Sequence, residues 1–156
     1  MKVELNRVDD DFHFEATGLS GVSVHIDGAP DIGGHNAGAR PMELLLMGLG
    51  GCTAIDVILV LKKQRQRIDD FKIEVSGERV QIAGTEMKPF KSINVHFVLK
   101  GAIDPAKAER AIKLSMEKYC SATAQLSASA TITHSLALEQ LAWVLDKRTR
   151  DEGWIE

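Results

Sequence analysis

The sequence predicts an α+β fold in which an antiparallel sheet packs around one long, cysteine-bearing central helix. Three observations predict it. Residues 44–61 form an almost wholly apolar run with Cys52 in its middle. Several segments alternate with period two between Gly, Pro and Asp turns. Asp104-Pro105 then supplies the N-cap and first-turn pair that opens a second helix. The predicted order is βββ-α-ββ-α-β-α.

In chain order, residues 2–8, 12–16 and 22–26 read as three short strands, divided by Asp9-Asp10-Asp11 and by Gly18 to Gly21 and closed by Asp27-Gly28-Ala29-Pro30. Residues 31–39, rich in glycine, read as a loop that delivers the chain to Arg40-Pro41, where proline suits a first helical turn. The long helix starts there. It is expected to close on Lys62, Lys63, Arg65 and Arg67, cations at the negative end of the helix dipole, with Asp69-Asp70 breaking the pattern. Residues 71–82 and 91–100 alternate around a turn with Gly84 and Pro89 and read as an antiparallel hairpin. The second helix runs through Tyr119 with Ala108, Ala111, Ile112 and Ser115 on its packing side, and Cys120 ends it. A helical turn over 121–126 and a strand over 130–138 follow. The tail has helical character to residue 150 and carries Trp143 and Trp154, rings that suit docking onto the domain or a second subunit.

A chain of 156 residues at 44% hydrophobic content can bury one sizeable core. The division expected is a domain over residues 1–138 and a C-terminal helical extension over 139–156. A net charge of −3 and a pI near 6.0 give no basic field, which argues against nucleic-acid or anionic-membrane partners. The apolar run raises the question of a membrane span, but Thr53, Asp56 and three glycines interrupt it, and no membrane association is expected. A helix apolar on nearly all faces needs burial on nearly all faces, which favours an oligomer. Residues 1–7 lack the charged-then-apolar pattern of a secretory signal, so a cytoplasmic, reducing location is expected, with both cysteines as thiols.

Two cysteines and no others look like a redox pair rather than a disulfide framework. Peroxide cleavage by a thiolate leaves a sulfenic acid, and a second thiol that condenses with it prevents over-oxidation. The alternative for Cys52 is a small buried hydrophobe. His13, His25, His35, His96 and His134 are scattered without metal-ligand spacing and there is no CxxC, so neither metal nor cofactor is expected. Gly48, Gly50 and Gly51 fall inside the helix and form no phosphate loop; small residues there suit close approach of a neighbouring helix.

The stretch from Arg40-Pro41 through Gly50-Gly51-Cys52-Thr53-Ala54-Ile55-Asp56, the later Glu117-Lys118-Tyr119-Cys120-Ser121 and the strand ending Ile132-Thr133-His134-Ser135 resemble the OsmC/Ohr superfamily, most closely its YhfA-like branch. The resemblance covers roughly residues 1–138. It implies an intertwined α+β homodimer with the cysteine-bearing helices at the centre and two sites at the subunit interface. It also implies thiol peroxidase activity on organic hydroperoxides or hydrogen peroxide, without metal or prosthetic group. Cys52 would attack, Cys120 would resolve, and an external dithiol, a lipoylated protein or thioredoxin, would restore the thiols.

A buried thiol is inert unless a cation or dipole stabilises its thiolate. The family uses an Arg from the first β-hairpin of the facing subunit, held by a Glu directly after the helix-opening Pro. Here Met42 follows Pro41, and the carboxylate is Glu43. The nine-residue step from Glu43 to Cys52 leaves about half a turn of rotation, which sets them on opposite faces. Asp56 lies one turn from Cys52 on the same face and is the other candidate orienting carboxylate; a structural partner on another helix is its alternative role. Arg7 and Arg40 are both candidates for the cation. A non-catalytic module that binds a hydrophobic ligand, or senses redox state through the two thiols, is the competing reading of the same scaffold.

Overall fold

The structure is a computed structural model that describes residues 1–139. The expected tail helix, Trp143 and Trp154 lie outside the described residues. The chain forms two compact units, Met1–Met47 and a second that begins at Gly48.

In the first unit, β1 (Glu4–Arg7), β2 (Phe14–Thr17) and β3 (Ser23–Ile26) make an antiparallel meander in the order β1-β2-β3. A short 3-10 turn, Pro30–Ile32, follows. Asp27 anchors the loop beyond it. Its carboxylate is 1% exposed and accepts from the backbone N–H groups of Gly28, His35 and Ala37 at 2.6, 2.8 and 3.0 Å.

The long helix α1 (Pro41–Lys63) starts where Pro41 predicts. Glu43 accepts from the Arg40 backbone N–H at 2.9 Å, which places a carboxylate on an otherwise orphaned donor at the helix start. The helix ends at Lys63, earlier than the basic cluster suggested. Arg65 takes a left-handed conformation (φ 56°) in the turn, and Arg67 and Asp69-Asp70 already belong to β4 (Arg67–Arg79). The cause is local: the left-handed residue satisfies the last helical carbonyls, and the N–H groups of Arg65 and Gln66 bond to the carbonyls of Lys62 and Leu61.

β4 pairs antiparallel with β5 (Phe90–Ala102), as the alternation predicts, with Ile73 opposite Phe97 and Val75 opposite Val95. A bulge between Ile68 and Asp70 requires Gly101 (φ 145°), where a Cβ would fall 2.2 Å from the Arg67 carbonyl oxygen. Gly101 therefore fixes the far end of the hairpin.

Asp104 caps α2 (Pro105–Leu114), its carboxylate accepting from the N–H groups of Ala106 and Lys107. The helix does not stay α-helical to Tyr119. Residues Ser115–Tyr119 form a π-helical turn that closes with Cys120 N–H donating to the Ser115 carbonyl at 2.9 Å. Then come α3 (Ser121–Leu126) and β6 (Thr131–Glu139). β6 joins β5 in parallel, so the second sheet, β4-β5-β6, is mixed where an antiparallel one was expected. The helices between β5 and β6 form the crossover that parallel pairing needs.

The core of the second unit is built by Leu49, Val57 and Leu61 of α1, Ile93, Val95, Phe97 and Leu99 of β5, and Ile112 of α2, all essentially inaccessible. Each contributes on the order of 1.5–3 kcal/mol by burial. α1 is long and apolar enough to cross a membrane by length and composition, yet 28% of that stretch is buried. Only one face meets the core. Gly50 lies on it, where a Cβ would stand 3.1 Å from Val75 Cγ2, so the small residue admits the sheet rather than another helix. Among the described residues nothing lies within 4 Å of a Cβ built on Gly48 or Gly51, and Ile55 and Leu59 beside them are 62% and 51% exposed.

Candidate thiol site

The second unit brings three of the sequence-predicted residues together. Cys52, in the middle of α1, is half-buried; Asp56, one turn on, is half-buried; and Cys120, between the π-turn and α3, is buried. The two sulfurs and a carboxylate oxygen of Asp56 all lie within 4.8 Å of one another.

Each member is held by its element. Cys52 and Asp56 sit at the border between the core face of α1 and its apolar exposed face, because four-residue steps carry the core through Leu49, Thr53, Val57 and Leu61. Thr53 is fixed by donating to the carbonyls of Leu49 and Gly50 at 3.0 Å each. Asp56 accepts from the buried hydroxyl of Ser115 at 3.1 Å, across from α1 to the start of the π-turn. The expectation that Asp56 has a partner on another helix thus finds it in Ser115. Cys120 is extended (φ −73°, ψ 103°) and caps α3, its sulfur accepting from the Thr123 N–H at 3.3 Å.

Burial pushes the Cys120 thiol above its ordinary value, and the neighbouring Cys52 adds to the rise. The Thr123 N–H pulls the other way, but desolvation wins over a single turn of backbone donors. Cys120 is therefore held as a thiol, while Cys52 is the sulfur with access to solvent. Among the described residues, no Lys or Arg pairs with Asp56.

A groove of about 550 Å³ opens beside Cys120, lined by Met116, Tyr119, Thr123, Ala124, Ile132 and His134, among others. His134, which the sequence left without a role, belongs to this groove.

The remaining candidates have hydrogen bonds within the first unit. Arg7 Nε donates to the Asp11 carbonyl at 3.1 Å. The Arg40 guanidinium donates to the carbonyls of Asp27 and Gly38 and to Asn36 Oδ1. Glu43 holds the helix start. Two histidines that looked scattered also meet: the rings of His13, just before β2, and His25, in β3, approach nitrogen to nitrogen at 2.8 Å. Sequence reasoning treated Ser115 as a packing residue and passed over Thr123. A serine on the buried stripe of a helix needs an acceptor, and that was the available signal.

A meander, a mixed sheet behind one long helix, and two thiols meeting at that helix define a class of small two-cysteine α+β redox folds. The profile of the family described as OsmC-like protein matches residues 34–135, and the chain belongs to that family. It is 38% identical to Protein YhfA of Escherichia coli (strain K12) over 126 residues, which covers 78% of this chain and 87% of that protein. Among solved structures, a hypothetical protein from Aquifex aeolicus VF5 shares 31% identity, a TM-score of 0.76 and coverage of 90% and 96% of the two chains. An organic hydroperoxide resistance protein OsmC from Legionella pneumophila shares the fold, with TM-score 0.63, 16% identity and coverage of 88% and 97%. Membership of the OsmC/Ohr family, together with two neighbouring cysteines, fits a redox role for the thiols.

Proposed function

We propose that this protein is a cytoplasmic, homodimeric thiol peroxidase that reduces organic hydroperoxides or hydrogen peroxide. The observation that carries the reading is the pairing of a half-buried Cys52 with a buried Cys120 whose sulfurs lie within 4.8 Å. The Cys52 thiolate attacks the distal peroxide oxygen, the O–O bond breaks, and the alkoxide leaves and takes a proton as the alcohol. Cys52 is left as a sulfenic acid. Cys120 then attacks that sulfur, water leaves, and a disulfide remains for an external dithiol, a lipoylated protein or thioredoxin, to reduce. A neutral Cys120 is suited to wait, because it does not compete for the first attack.

Dimerisation is supported by the unpartnered apolar face of α1. Gly48, Gly51, Ile55 and Leu59 would admit a second copy of the helix, and Cys52 sits at the border of that face. The cation for the thiolate is then Arg7 or Arg40; among the described residues Arg7 donates through Nε alone, whereas the Arg40 guanidinium donates to three oxygens. We assign the orienting role to Asp56 rather than Glu43, because its carboxylate stands beside the two sulfurs. The relatives named for organic hydroperoxide resistance from Legionella pneumophila and Elizabethkingia anophelis support the substrate class.

The test is peroxide loss with cumene hydroperoxide, and separately with hydrogen peroxide, in the presence of dihydrolipoamide. Wild type should turn over many equivalents. Cys52→Ser should lose turnover entirely, and Cys120→Ser should stop after one equivalent with a sulfenic acid that dimedone traps. One equivalent consumed by wild type, with no turnover, would make the protein a redox sensor instead.

A further inference from the structure

We infer that Cys52, Asp56 and Cys120 form a zinc-class divalent metal site with one position left open. The sequence carries no metal-ligand spacing because the two cysteines stand on elements far apart in the chain, and only the crossover brings them together. Two sulfurs and one carboxylate oxygen are a donor set that zinc accepts. Their atoms lie within 4.8 Å of one another. With Zn–S near about 2.3 Å, a tetrahedral site needs sulfurs about 3.8 Å apart. The remaining closure of up to about 1 Å is within reach of small χ1 adjustments at the half-buried Cys52 and Asp56.

Two further observations point the same way. Asp56 and Cys120 are each backed by a donor, Ser115 Oγ at 3.1 Å on the carboxylate and Thr123 N–H at 3.3 Å on the sulfur, the outer-shell pattern that orients metal ligands. Three groups able to carry negative charge crowd together, and among the described residues no Lys or Arg pairs with Asp56. A divalent cation supplies that balance, displacing the protons of the thiols as it binds. The site stands on the geometry alone and does not require peroxidase activity.

The test uses the fully reduced chain without any peroxide. Zinc added in competition with a chelating dye should bind one ion per chain, and cobalt should give the thiolate-to-metal charge-transfer band and visible bands of a tetrahedral site. Cys52→Ser and Cys120→Ser should each abolish the charge-transfer signature or shift it, with affinity down at least a hundredfold. Asp56→Asn should weaken zinc by tenfold or more while circular dichroism shows the fold retained. Zinc should also slow alkylation of Cys52 by iodoacetamide. Affinity unchanged in either cysteine variant or in Asp56→Asn, or the absence of stoichiometric binding to wild type, overturns the site. An Arg that fills the position in the assembled protein would read out as that last result.

Discussion

Asp27 shows how one buried carboxylate can hold a loop. Backbone N–H groups, that of Ala37 foremost, keep its carboxyl below the ordinary range, with His35 and Gly28 adding to the effect against the cost of burial. A carboxylate with a depressed folded pKa contributes stability that is present above its unfolded pKa and lost as pH falls through the folded one. Asp27→Asn should therefore unfold at lower urea than wild type near about pH 6, and the gap should shrink near about pH 3, as the wild-type carboxylate protonates. A gap independent of pH would mean that shape, not charge, holds the loop. At this scale the sequence announced Cys52 and Cys120 by their scarcity and Asp56 by its one-turn step. It could not announce their meeting, because nothing in a residue's type says which distant element it will face. Ser115 was legible as a buried position and illegible as a donor for the same reason.

Elements were the most legible level, since local chemistry decides them. The Asp104-Pro105 pair predicted the start of α2, residues 121–126 predicted α3, and alternation predicted β5 with its buried Ile93, Val95, Phe97 and Leu99. Asp104→Ala removes the acceptor for two N–H groups and should cost about 1 kcal/mol in urea unfolding. What stayed hidden were features that depend on a surplus of one residue. The π-turn Ser115–Tyr119 carries one residue more than the α-helical path would, and that surplus sets the direction of Cys120. The parallel placement of β6 was hidden too, since alternation fixes which face a strand buries and not the direction of its neighbour.

At the scale of the whole molecule, the described residues leave an apolar face of α1 uncovered, with Ile55 and Leu59 beside Gly48 and Gly51. Ile55→Asp should convert the proposed dimer to monomer in sedimentation velocity without loss of β-sheet signal, whereas a surface that meets only water would tolerate it. The sequence raised the expectation of an oligomer through an excess of apolar helix over available core, and in the structure that excess is the exposed face of α1. One topological feature has a temporal meaning. Cys120 lies within the crossover between β5 and β6, whose pairing spans residues Ser92 to Glu139. Non-local parallel pairing closes late, after local hairpins and helices have formed. The two sulfurs thus come within reach only when that pairing is complete. During refolding under a mild oxidant, the bond between them would keep time with the last step of sheet assembly, a clock built from the chain's own two thiols.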